Sequence, residues 1–322
     1  MLLIVIRLPQ VNKNMQNNYT MHILYDKSTD ESFFNKYNGS NILVVDIRLY
    51  QSEYEWIFNQ PHLKPMLFIT EPIHHFGFSG GASEYSYKAF NENKFTYVFG
   101  CINHDPKNGR YKYPLYMFIS EFNFKNRDYY TQINNNVKNT DATQLDAKRF
   151  NALINNWDPG TRACIYEQLK TIGQIDCPSK VFKNCSNEEL NQVGKIKYLQ
   201  NYKFNICSEN TDYDNVPGYI TEKLMQCCLG GAIPIYAGSF DEYDAKILNR
   251  NRIIFYNSKD EKTIEYAFYK IKFLMENPEL LLCFYNQPIF CDTAYDAAQE
   301  LFNDFDTLAK ISQNTVQPAN DN

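Results

Sequence analysis

The chain of 322 residues is long enough for two domains of ordinary size, and its 44% hydrophobic and 21% charged residues are those of a globular protein with a sizeable core. A net charge of −5 excludes an extended nucleic-acid footprint, which needs clustered Lys and Arg, while leaving room for one local basic pocket. No apolar run reaches about 18 residues, so no transmembrane segment is expected, and the short run at 2–6 lacks the basic residues that precede the core of a secretory leader. Nine cysteines without a C-x-x-C pair suit reduced thiols, and hence a cytoplasmic location, with peripheral attachment to a membrane left open. Cys283 and Cys291 are near enough in sequence to pair, though spacing alone does not decide it.

In chain order, short apolar runs bounded by turn residues predict strands at 21–26, 41–47, 66–71 and 95–100. Their rhythm predicts α/β units around a mostly parallel sheet. Residues 76–84, with Gly77, Gly80 and Gly81, read as a loop. The polar stretch 123–147 reads as a linker, which gives an N-terminal domain of 1–145, a C-terminal domain of 146–312 and a disordered tail of 313–322. Beyond it the pattern predicts a helix at 162–170, a strand at 202–207 and a helix at 221–229 stopped by Gly230 and Gly231. Strands at 232–236 and 252–256 follow, with a turn at Gly238 between them. In 262–276, Ile264, Ala267, Phe268, Ile271 and Leu274 share one helical face, a core stripe, and a last helix is expected near 293–311.

The chemistry concentrates in 202–239. A strand ends at Cys207, a polar loop carries Glu209, Asn210 and Thr211, and a helix begins near Thr221. Ligands of open α/β sheets bind beyond the carboxyl ends of strands and at helix N-termini. Glu222 and Lys223 fall in the first helical turn, where the ammonium suits a phosphate and the carboxylate a ribose diol; the same pair also reads as ordinary surface charge. A lysine there opposes the helix dipole, which hints at a compensating anion.

The segment from Tyr202-Lys203-Phe204 through Glu209-Asn210-Thr211, with Tyr219-Ile220-Thr221-Glu222-Lys223 and Ala232-Ile233-Pro234-Ile235 after it, resembles the α-1,3/4-fucosyltransferases, glycosyltransferase family 10. Thr211 stands where the family usually has Ser, and the loop from Asp212 to Gly218 is a few residues longer. The resemblance implies a GT-B type α/β fold, two Rossmann-like domains facing across a cleft. It places Asn210, Tyr219, Glu222 and Lys223 in a GDP-fucose pocket. Upstream, Asn156-Trp157-Asp158-Pro159-Gly160-Thr161-Arg162 resembles the family element that ends in an arginine on the donor diphosphate, so Asn156 and Arg162 join the donor residues. An arginine fork suits paired phosphate oxygens. More weakly, Leu67-Phe68-Ile69-Thr70-Glu71 resembles the strand whose glutamate is the general base, and Arg110-Tyr111-Lys112-Tyr113-Pro114-Leu115-Tyr116 resembles the element after the next strand.

The implied reaction is one inverting displacement onto a hydroxyl of an oligosaccharide or glycoconjugate acceptor, α-1,3 or α-1,4 on a GlcNAc-type sugar, with no covalent intermediate. Arg162 and Lys223 would stabilise the departing GDP, so no cofactor is required and a divalent metal is at most stimulatory. Glu71 would take the acceptor proton, and His74 and His75 follow close by. Asp212-Tyr213-Asp214 and Asp304-Phe305-Asp306 look like D-x-D metal triplets, but such triplets are common by chance. Two other readings remain: a GT-B transferase for another nucleotide sugar, and a non-catalytic carbohydrate-binding protein on the same fold. The acceptor itself is not legible.

Overall fold

The computed structural model describes residues 42–45, 51–59, 64–69, 82–158, 160–210 and 218–313. The chain divides into two compact units, Met1–Glu121 with Glu300–Asn322, and Phe122–Gln299. Each has its own parallel sheet, so the α/β class expected from the sequence is the class observed.

In the first unit the order of elements is β1 (Ile42–Val45), α1 (Gln51–Phe58), β2 (Lys64–Ile69), α2 (Ala82–Asn91), β3 (Tyr97–Gly100) and β4 (Arg110–Lys112). The strands lie side by side in sequence order, with Val44 opposite Met66 and Met66 opposite Tyr97. Met66, Leu67, Phe68 and Ile69 are all buried, the continuous apolar run that a parallel strand covered on both faces needs. Gly100 ends β3 at φ 122°, and a Cβ there would lie 2.1 Å from the Ile69 carbonyl oxygen, so only glycine fits. The Arg110–Tyr116 element supplies β4 and two wholly buried tyrosines, Tyr113 and Tyr116. The expected strand at 21–26 and the loop residues Gly77, Gly80 and Gly81 lie outside the described residues.

The second unit begins earlier than the polar composition suggested. The stretch read as a linker forms α3 (Arg127–Lys138) and α4 (Ala142–Asp146). The same Asn and Asp residues that made it look like a linker serve as caps. The Asn126 side chain accepts from the Asp128 amide, and Asp141 forms a capping box with Gln144. Asn134 exchanges two hydrogen bonds of 2.9 Å with the backbone of Phe290, and Phe122 stacks on the same ring. Residues 122–145 therefore belong to the second unit and not to an N-terminal domain of 1–145. At the other end, α12 (Ala294–Gln313) is a single helix that the division cuts at 299/300, so 300–312 does not close the second unit. His104 and Asp304 stand 3.8 Å apart within the first unit.

The remaining elements are β5 (Arg149–Leu153), α5 (Ala163–Leu169), β6 (Ile175–Asp176), α6 (Glu188–Val193), α7 (Lys195–Leu199), β7 (Tyr202–Ile206), α8 (Glu222–Leu229), β8 (Ile233–Tyr236), α9 (Glu242–Ile247), β9 (Ile254–Phe255), α10 (Glu261–Glu276) and α11 (Pro278–Tyr285). The sheet order is β6-β5-β7-β8-β9, all parallel, with Leu153 opposite Ile206 and Ile206 opposite Ile235. The chain leaves β5 toward one edge, forms β6, then crosses back to place β7 on the other flank of β5. The order reverses between β5 and β7, and open α/β sheets hold ligands at such a switch point. The α10 stripe is as expected, with Ile264, Ala267, Ile271 and Leu274 buried.

Candidate donor-binding site

The loops leaving β5 and β7 meet at the switch point. After β5, Asn155 organises the turn: its Nδ2 donates to the Asp158 carbonyl at 2.8 Å, and its backbone amide donates to Ser179 Oγ at 2.5 Å. Gly160, at φ 44°, opens a short 3-10 turn that delivers Thr161 and Arg162. Thr161 Oγ1 donates to the Glu209 carbonyl at 2.7 Å. Arg162 Nη2 donates to the Ser208 carbonyl and, at 2.9 Å, to Asn210 Oδ1. Behind them, Tyr256 Oη donates to the Thr161 carbonyl at 2.9 Å and lies 2.8 Å from Ser208 Oγ.

Arg162 is only 2% exposed, and its Nη1 has no hydrogen-bond partner among the described residues. Burial pushes the pKa of its guanidinium down, while Glu209 and other neighbours pull it back up. A buried donor left unmet costs about 1–3 kcal/mol, more when charged, so this atom points to an acceptor that the described residues do not supply. A cavity of about 490 Å³ is lined by the neighbours of Arg162 in this turn, Gly160, Thr161, Ala163 and Cys164, together with Asn210, Ser258 and Lys259.

On the other flank, Thr221 caps α8, with Oγ1 accepting from the Lys223 amide. Lys223 Nζ donates to Thr221 Oγ1 at 3.0 Å and to Glu209 Oε2 at 3.2 Å, and lies 3.8 Å from Glu222 Oε1. Burial alone would lower the Lys223 pKa; the two carboxylates more than offset it and hold the ammonium above its usual range. For Glu222 the signs reverse. Burial favours the neutral acid, but Lys223 and Lys195 outweigh it and hold the carboxyl below its usual value. Both groups stay charged near neutral pH. At an effective dielectric of about 20 the Glu209–Lys223 attraction is on the order of 5 kcal/mol, set against several kcal/mol of desolvation for each ion.

Of the residues expected from the sequence, Arg162 and Asn210 are hydrogen-bonded to each other, and Lys223 and Glu222 form the first turn of α8. Tyr219 is 2% exposed, next to Gly218, whose amide donates to Ser239 Oγ at 2.7 Å. Asn156 is exposed and its Oδ1 accepts from the Lys180 amide at 3.4 Å; its neighbour Asn155 is the residue that shapes the loop. Glu71, His74, His75 and the triplet at Asp212 lie outside the described residues. All nine cysteines are free thiols, Cys283 and Cys291 included. Among the described residues no cluster of three metal-ligating side chains occurs, and no helix is long and apolar enough to cross a membrane. Sequence reasoning passed over Glu209, Thr161, Ser208 and Tyr256. Glu209 had a visible signal, being a carboxylate in the short polar loop that leaves β7 (Tyr202–Ile206).

Residues 145–288, just under half of the chain, match the family model "Glycosyltransferase family 10 (fucosyltransferase) C-term". An alpha-(1,3)-fucosyltransferase of Helicobacter pylori is 30% identical over 138 residues, which are 43% of this chain and 27% of that protein. A putative fucosyltransferase-like protein of Arabidopsis thaliana is 24% identical over 132 residues, 40% of this chain and 23% of that one. The chain thus spans about a quarter of the length of the curated relatives it matches. Among solved structures, an alpha1,3-fucosyltransferase superposes with a TM-score of 0.54 at 18% identity, covering 82% of this chain and 77% of that one. An alpha1,3-fucosyltransferase with GDP-fucose gives 0.51 at 18% identity, over 84% and 79%. The fold is therefore shared with these GT-B glycosyltransferases.

Proposed function

From the premise that residues 145–288 carry a glycosyltransferase family 10 (fucosyltransferase) C-terminal domain, we propose that the protein transfers L-fucose from GDP-fucose to a hydroxyl of an acceptor glycan. The observation that carries this reading is the pair of cationic donors beyond β5 and β7: the unmet Nη1 of Arg162 and the ammonium of Lys223. Two cations with directed N–H bonds suit a diphosphate leaving group, and a cavity of about 490 Å³ is of small-ligand size. A fold neighbour solved with GDP-fucose supports the choice of donor.

In this reading the acceptor oxygen attacks the anomeric carbon from the face opposite GDP. The bond to the β-phosphate oxygen breaks as the new glycosidic bond forms, in one inverting step. Arg162 and Lys223 meet the negative charge that develops on the diphosphate, without a metal being required. Glu71 takes the acceptor proton. Asn210 holds the Arg162 fork, and Glu222 faces the ribose.

The test is turnover of GDP-fucose, GDP-mannose and UDP-glucose against an array of GlcNAc-type acceptors, with the product linkage determined, and in EDTA. Turnover of GDP-fucose alone with an α-linked product supports the reading. A clear preference for another donor, or complete and metal-reversible loss in EDTA, refutes it. Glu71→Gln should lower turnover about 10²-fold or more while leaving GDP affinity nearly unchanged; a parallel fall in GDP affinity refutes its role as base.

A further inference from the structure

Glu209 has no part in the reaction just described, yet its carboxylate is met on both oxygens. Its side chain is wholly buried. Oε1 accepts from the Thr221 amide at 2.8 Å and from Tyr236 Oη at 3.2 Å. Oε2 accepts from Thr221 Oγ1 at 2.7 Å and from Lys223 Nζ at 3.2 Å. Four donors from β8 and the start of α8 therefore converge on one carboxylate at the end of β7. An ammonium has three N–H bonds in fixed relation. With two directed at Glu209 Oε2 and Thr221 Oγ1, the direction of the third is set.

We infer that Glu209 is a positioning residue: its carboxylate fixes the orientation of the Lys223 ammonium and does not itself touch the substrate. The inference rests on the reading of Lys223 as a diphosphate ligand. Two possible roles for Glu209 predict opposite signs. As a mere negative charge beside a diphosphate, Glu209 would repel it, and the neutral Glu209→Gln variant would bind GDP more tightly. As the group that orients Lys223, it is needed for affinity. The amide would turn one of its faces, now an N–H donor, toward groups that are themselves donors, and the buried ammonium would lose the nearer of its two counter-charges.

The experiment is GDP calorimetry on the full chain between pH 6.5 and 10, for wild type, Glu209→Gln, Lys223→Ala and the double variant. Glu209→Gln should weaken GDP at least tenfold at pH 7.5. Because the carboxylate raises the affinity of the Lys223 amine for its proton, the alkaline fall in binding should come at lower pH in Glu209→Gln than in wild type. The double variant should bind no more weakly than Lys223→Ala alone, because the two residues act as one unit. Glu209→Asp keeps the charge but withdraws it. That variant should weaken GDP without moving the alkaline fall, and it serves if Glu209→Gln does not stay folded. Tighter or unchanged binding in Glu209→Gln, or additive losses in the double variant, overturns the inference. A nucleotide-free measurement separates the two ideas: titration of the Lys223 amine by NMR in protein labelled with isotopic lysine, assigned with Lys223→Ala. If wild type binds no GDP but the titration moves down in Glu209→Gln, positioning stands and the diphosphate reading falls. If GDP binds and neither affinity nor titration responds, the diphosphate reading stands and positioning falls.

Discussion

Arg162 and Arg252 are buried alike, 2% and 1% exposed, but they use their donors differently. Arg252 directs Nε to the Tyr285 carbonyl at 3.2 Å, Nη1 to Ala232 at 3.0 Å and Nη2 to Gly231 at 2.7 Å. Arg162 uses Nη2 twice and leaves Nη1 unmet. Replacing Arg162 by Ala should remove a ligand contact, whereas replacing Arg252 removes an internal brace. A hydrogen bond to a charged group contributes about 1.5–3 kcal/mol, so Arg162→Ala should raise the Kd for GDP roughly 10–100-fold. Stability should follow the opposite order. Arg252→Ala takes a charged donor from three carbonyls, of which Ala232 keeps only the weak Cys227 thiol, at about 1–3 kcal/mol for each left unmet, while Arg162→Ala takes one from fewer acceptors and abolishes an unmet buried donor. Calorimetry with GDP and thermal melts on both variants check this, with Arg252→Lys as the milder substitute if needed. Wild-type GDP affinity in Arg162→Ala, or an equal loss in folded Arg252→Ala, would refute the reasoning.

Two further expectations come from the packing around the site. A Cβ at Gly238 would lie 2.3 Å from Tyr236 Oη and 2.8 Å from Glu209 Cγ, both in buried side chains, so Gly238→Ala should cost about 1–3 kcal/mol and weaken GDP; unchanged melting and affinity would contradict it. In native thiol labelling at pH 8, exposed Cys283 should react first and Cys164, which lines the cavity, should be slowed by GDP, while burial pushes the Cys228 thiol up to about 12 and keeps it inert; mass mapping that finds Cys228 ahead of Cys283, or no GDP effect at Cys164, would contradict it.

The second unit was legible where the signal was local. Thr221 as a cap, the Gly230-Gly231 stop and the α10 stripe each follow from residues a few positions apart. The strands β5 and β6 were missed for a physical reason. β5 carries Arg149 and Asn151 among its five residues, and β6 has only two, Ile175 and Asp176. Asn151 is wholly buried in the sheet, which no polarity pattern would suggest. The helices α3 and α4 were missed because their caps are Asn and Asp, and a cap reads as a loop when the partner that buries Tyr130 and Val137 lies elsewhere in the chain. Lys223 and Arg162 were singled out through the spacing of their motifs. The partner that holds Lys223 was passed over because burial of a strand-end carboxylate is a tertiary property, invisible until β8 and α8 fold against it.

The different anchoring of the two cations suggests different work. Arg162 is held by a backbone carbonyl and a side-chain amide, neither of which carries net charge, and no carboxylate is ion-paired with it among the described residues. Its positive charge therefore remains largely available to a ligand, although burial makes that charge costly to keep. Lys223 is offset by Glu209 at 3.2 Å and Glu222 at 3.8 Å, so its pull on a distant anion is small. What Lys223 retains is direction, a third N–H set by the buried pair of acceptors Glu209 and Thr221. On the proposed function, Arg162 would then account for most of the attraction for a diphosphate and Lys223 for the geometry in which it is held. A donor whose direction is already set lowers the ordering entropy that binding must otherwise supply. The segment Ser208–Asn210 serves both cations, with its backbone and Asn210 anchoring Thr161 and Arg162 and its one buried carboxylate aiming Lys223. A shift of that segment would misplace charge and direction together, which is why substitutions there should act on affinity more strongly than their distance from the ligand suggests.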